Sequence, residues 1–89
     1  MSNYRQDVLN AYDLEFIEDI KKAVGIDSQV EVFLKYKNFS FLLEPHGVEI
    51  CVYSNGELLG RYKDFDNMAK NFLIEGKSFI DCISEIEYA

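Results

Sequence analysis

Gly76-Lys77-Ser78 is the first place to look for chemistry, because a glycine loop followed by Lys and Ser can cradle phosphates. That loop also needs a glycine five residues before its second one, and a strand in front of it. Position 71 is Asn, and the spacing before it predicts a helix. A structural role accounts for all three residues. Gly76 stops one helix, Lys77 sits well at its C-terminal dipole, and Ser78 caps the next. Nucleotide binding is not expected here.

His46 is the only histidine, and it stands in the turn Glu44-Pro45-His46-Gly47. Structural zinc takes four Cys or His ligands. Cys51, Cys82 and His46 make three, on a predicted strand, helix and turn. A Cys–His nucleophile pair would require a cysteine to leave the core and reach a hairpin tip. Both cysteines lie among apolar neighbours, Ile50 and Val52 or Ile80 and Ile83. They read as free buried thiols, with a disulfide as the less favoured alternative.

Carboxylates are plentiful, so pairs of them carry little information. Glu15/Asp19 and Asp81/Glu85 are i, i+4 neighbours on polar helix faces, where solvation is the default. A general acid needs an apolar or paired setting to shift its pKa. No Asp-x-Asp-x-Asp-Gly loop offers calcium ligands. The expectation is a protein with no catalytic residues, no metal and no cofactor, and not an enzyme.

Composition narrows the class. The chain has 89 residues, 48% of them hydrophobic and 15% aromatic, with a formal net charge of −7. That is enough apolar material for one core and too aromatic for a disordered acidic tail. A single domain over 1–89 is expected. The polar N-terminus does not read as a signal peptide, and no apolar run approaches the roughly 18–20 residues of a membrane span. The expected location is the cytoplasm, with no membrane partner.

Hydrophobic spacing gives the elements that would position any site. Leu9, Tyr12, Phe16, Ile17, Ile20 and Val24 follow a helical period, predicting a helix over about 5–24. Asp13 falls on its solvated side, and Gly25 is a natural left-handed stop. Period-two alternation then predicts strands near 29–36, 39–44, 48–53 and 57–63. Lys37-Asn38, Pro45-His46-Gly47 and Ser54-Asn55-Gly56 separate them. Connections this short force antiparallel neighbours. The fold class is therefore α+β, a four-stranded antiparallel meander with helices on one face, in the order α-β-β-β-β-α-α.

The last hairpin has two possible registers. A two-residue Asn-Gly loop pairs Ser54 with Glu57 and turns Leu59 and Arg61 toward the core. A three-residue loop with a bulge pairs Tyr53 with Glu57. It turns Leu58, Gly60 and Tyr62 inward and Arg61 outward. Burying Arg61 unpaired is the costlier option, so the three-residue loop is expected. Beyond it, Phe65, Met68, Ala69, Phe72 and Leu73 form a helical stripe that Asp64 or Asp66 can cap and Gly76 ends. A last helix carries Phe79, Cys82 or Ile83, and Ile86.

The stretch Phe65-Asp66-Asn67, Asn71-Phe72-Leu73-Ile74 and Gly76-Lys77-Ser78-Phe79 resembles a pattern found in small uncharacterised proteins of Gram-positive bacteria. It covers about fifteen residues of the chain. The resemblance implies a bacterial cytoplasmic protein and brings no activity with it.

Charge by segment points to function. Residues 1–28 carry six acids and three bases, residues 29–63 four and four, and residues 64–89 six and two. The acidity belongs to the predicted helices, and the sheet is neutral. The expected function is a small acidic protein-interaction domain: a partner, inhibitor or immunity-type protein. The alternative is a nucleic-acid-associated regulator using Lys35, Lys37, Arg61 and Lys63, although no basic footprint accompanies them. The expected interaction face is the outer side of the sheet. There Phe33, Leu42, Cys51 and Tyr53 form a row, and Glu31, Lys35, Glu44, Glu49, Arg61 and Lys63 supply a rim of both signs. Self-association or a protein partner is expected at this face.

Overall fold

The computed structural model describes residues 11–89. The part of the first helix expected before Ala11, including Leu9, lies outside them. Helix α1 runs Ala11–Ala23. Strands β1 (Val32–Tyr36), β2 (Phe39–His46), β3 (Glu49–Ser54) and β4 (Glu57–Tyr62) follow. Next come α2 (Phe65–Asn71), a small hairpin of β5 (Leu73–Ile74) and β6 (Lys77–Ser78), a 3-10 turn (Ile80–Glu85) and β7 (Ile86–Tyr88). The main sheet has five antiparallel strands in the order β4-β3-β2-β1-β7. The α+β class and the meander of the first four strands agree with the sequence reading. The fifth strand does not.

That strand replaces the expected last helix. Ile80, Ile83 and Ile86 are β-branched and stiff in a helix. Ile80, Cys82, Ile83 and Ile86 are all buried, and pairing with β1 gives the backbone of 86–88 strand partners that a continued helix would forgo. The chain makes one 3-10 turn, begun by the Asp81 N–H donating to Ser78 Oγ at 3.3 Å. It then pairs Tyr36 with Ile86 and Leu34 with Tyr88. The β1 edge, otherwise a row of unpaired backbone groups, is covered.

One set of alternating strand residues builds the core. Val32, Leu34, Tyr36, Phe41, Leu43, Ile50 and Val52 join Ile17 and Ile20 of α1 and Val24 just after it, Met68 and Phe72 of the α2 region, and Phe79 and Ile83 near the end. Phe41 meets Phe72 and Phe79 edge-on at centroid distances of 5.4 and 6.3 Å. Phe16 stands edge-on to Tyr88 at 5.1 Å, joining α1 to the last strand.

Several local expectations need correction. The buried stripe of α1 is Asp13, Ile17 and Ile20, continued by Val24 just past its end, so Asp13 faces in and Tyr12 faces solvent. Gly25 does not take the left-handed conformation; Gln29 does, with φ 55°. The Gln29 amide bonds the Gly47 peptide on both sides, accepting from its N–H at 2.9 Å and donating to its carbonyl at 2.8 Å. This clamp delays the first strand to Val32 and leaves Val30 exposed. Strand β2 continues through Pro45 and His46, which pair with Ile50 and Glu49. Proline is tolerated there because β1 pairing stops at Val32–Leu43, so no strand lies on Pro45's other side. Asp64 caps α2 as expected, accepting the Asn67 N–H at 2.8 Å. That helix ends at Asn71, and Leu73 is exposed. Gly76 serves the β5–β6 turn with φ 82°, beside Glu75 at 54°.

Candidate functional site

The outer face of the main sheet depends on the β3–β4 hairpin. Ser54 pairs with Glu57, and both Asn55 (φ 53°) and Gly56 (φ 80°) are left-handed. This is the two-residue loop of type I′, not the expected three-residue loop. Arg61 nevertheless faces out, because the register shifts between Val52 and Tyr53. Tyr53 pairs with Leu58 and Val52 with Gly60, which leaves Leu59 as the extra residue of a bulge. Gly60 and Tyr62 therefore reach the inner face as expected, whereas Leu58 lies outside.

The resulting register aligns Phe33, Leu42, Tyr53 and Leu58 across four strands. Phe33 is 56% exposed and Leu58 46% exposed, while Leu42 and Tyr53 between them are half-buried. Phe33, Leu42 and Tyr53 line a groove of about 610 Å³, with Ser40, Ser54 and Glu44 as polar walls. Ser54 Oγ donates to the Ser40 carbonyl at 2.7 Å, which ties β3 to β2 beside the groove.

Cys51 belongs to the next row, between Glu44 and Arg61. It was expected to be part of the exposed surface, but it is 1% exposed. A thiol is short, and the longer side chains on either side stand over it. The Arg61 guanidinium is raised above its ordinary pKa, first by a side-chain hydrogen bond to Cys51 and also by Glu49. Both cysteines are free and buried. Burial pushes the Cys82 thiol up.

Glu44 links the groove to its rim. His46 Nε2 lies 3.0 Å from Glu44 Oε1, and this contact chiefly holds the carboxyl below its usual range. Burial, then the negative charge of Glu44, raise the Tyr53 phenol. Lys35 is half-buried between Ser40 and Glu87 in register. Lys37 lies apart at the hairpin tip, 3.9 Å from Glu75 and over the Tyr36 ring.

Of the expected face residues, Phe33, Leu42 and Tyr53 come together, and Lys35 and Arg61 flank them on the same side. Leu58 was missed because the wrong loop turned it inward. The Asn55-Gly56 dipeptide, the strongest short signal for a two-residue turn, was the available clue. Among the described residues, no group of three or more His, Cys, Asp or Glu is placed to hold a metal ion. No described helix is long and apolar enough to cross a membrane. The chain matches no family model, no curated protein and no solved structure at a significant level.

Proposed function

We propose that this is a non-catalytic protein-interaction domain whose working surface is the outer face of the sheet. It would serve as a partner, inhibitor or immunity-type protein. The observation that carries the reading is the aligned row Phe33–Leu42–Tyr53–Leu58 on the side of the sheet away from α1 and α2. Aromatic and aliphatic residues over a groove, edged by charges of both signs, have the make-up of a protein contact. The nucleic-acid reading has weaker support. Of the four bases Lys35, Lys37, Arg61 and Lys63, three have an acid beside them: Lys35 has Glu87, Lys37 has Glu75 and Arg61 has Glu49, which breaks up a positive track.

The test compares proteins retained from the native lysate by wild-type chain, Phe33→Glu, Leu42→Lys and Leu73→Glu. Leu73 is about as exposed as Phe33 but lies outside the main sheet. The expected result is a stoichiometric partner lost with both face variants and kept with Leu73→Glu. Retention of every wild-type partner and of the wild-type mass by folded face variants would overturn the reading.

A further inference from the structure

We propose that the outer-face groove receives an arginine side chain of the protein partner, its guanidinium paired with Glu44 and lying against the rings of Phe33 and Tyr53. This rests on the reading of the outer face as the interaction surface, and it names the chemistry of the partner there.

Size sets the class of occupant. The groove holds about 610 Å³, within the roughly 300–1,000 Å³ of small-ligand sites. It admits one long side chain with the backbone that carries it.

Charge then selects among occupants. Among the described residues that line the groove, Glu44 has the only charged side chain. Lys35 and Arg61 flank the face without lining the groove. Glu31 lies within hydrogen-bonding reach of Glu44, so a second carboxyl stands beside the first. Among the described residues, neither glutamate forms a salt bridge with a lysine or arginine. His46 takes one acceptor site of Glu44 at 3.0 Å, and a carboxylate offers about four. A purely apolar occupant would strip water from this carboxylate and return nothing, which costs free energy. An anion would meet both glutamates and a chain of net charge −7. A cation is favoured at both ranges.

The rings decide which cation. Tyr53 hydrogen-bonds Glu44, so ring and carboxylate are adjacent, and Phe33 lies on the same row. A guanidinium is planar and weakly hydrated. It stacks on an aromatic face while its edge donates to a carboxylate. A lysine ammonium is a compact, strongly hydrated point charge. On another wall, Ser54 Oγ spends its proton on the Ser40 carbonyl at 2.7 Å and keeps its lone pairs as acceptors. A guanidinium has five N–H donors to meet such acceptors.

Amide NMR of the full chain, titrated with acetyl-Leu-Arg-Leu-amide to about 10 mM, tests the proposal. Parallel titrations replace the arginine by lysine or by citrulline, its neutral isostere. Shifts are expected to cluster at Phe33, Leu42, Glu44 and Tyr53. The citrulline peptide is expected to bind about tenfold more weakly, with lysine between the two. Glu44→Gln should bring the arginine peptide down to the citrulline level. Equal binding of the arginine and citrulline peptides, shifts confined to other surfaces, or no binding at all overturns the proposal. That comparison uses the wild-type chain, so it decides even if Glu44→Gln does not fold. A folded Glu44→Gln that binds the arginine peptide like wild type also overturns it. The interaction reading is separable: a lysate partner lost with Phe33→Glu but kept with Glu44→Gln leaves that reading standing and removes the arginine.

Discussion

Leu34 and Phe33 are neighbours in β1, yet Leu34 is fully buried and Phe33 is more than half exposed. The same contrast holds in β2, where Leu43 is buried and Leu42 half-buried. Alternation sets which side each residue faces, and the two sides have different fates. The inner face is closed by α1, α2 and the C-terminal turn, so its residues determine stability. The outer face carries apolar residues that folding leaves at the surface, so they contribute less to stability and, on the proposed reading, serve association.

The largest expected effect follows from that difference. Leu34→Ala and Leu43→Ala should each cost about 2–5 kcal/mol, because deletion leaves a cavity in a closed core. Leu42→Ala should cost less than about 1 kcal/mol, since water can enter the space. Denaturant unfolding of the three variants measures this. Equal losses at Leu42 and Leu43 would erase the distinction between the faces.

Gly60 tests how the inner face ends at its edge strand. A Cβ at Gly60 would stand 2.6 Å from the Tyr62 hydroxyl, because the Tyr62 ring lies across it. Gly60→Ala is expected to cost about 1–3 kcal/mol by displacing the ring. The cost should shrink in a Tyr62→Ala background, a coupling that a double-mutant cycle reads directly.

Gly56 tests the turn that sends Leu58 outward. Nothing lies within 4 Å of a Cβ there, so the cost of Gly56→Ala comes from φ 80° alone. About 1 kcal/mol is expected, and Gly56→Asn should recover part of it. An unchanged melting temperature in Gly56→Ala would contradict the type I′ turn.

Much of this was legible in the sequence. Period-two spacing places the first four strands in a meander. The cost of burying Arg61 put that residue on the correct face, although the wrong loop was chosen to achieve it. Two devices give the same result for Arg61: a three-residue loop, or a two-residue loop with a bulge at Leu59. Local sequence does not separate them, and Leu58 is the residue that changes sides. The C-terminal helix failed for another reason. Phe79, Cys82, Ile83 and Ile86 fit a helical face, but pairing with the β1 edge is a tertiary gain that periodicity does not register. Asp13 is similar, since packing of α1 sets its rotation to within one residue.

The smallest expected effect concerns the rim. The Glu44 carboxyl is held below its ordinary value of 4.5, chiefly by His46. A depressed carboxyl stabilises the fold above its unfolded value, and that contribution is lost as pH falls through the folded value. His46→Ala should move the Glu44 titration upward, as read by NMR. An unmoved Glu44 would remove His46 from the rim.

Amide NMR of the chain with and without the partner retained from the lysate tests the assignment of association to the outer face most directly. If the outer face associates, shifts that depend on the partner should cluster at Phe33, Leu42, Tyr53 and Leu58 and leave α1 and α2 unmoved. Shifts confined to α1, α2 or the β5–β6 hairpin would contradict it.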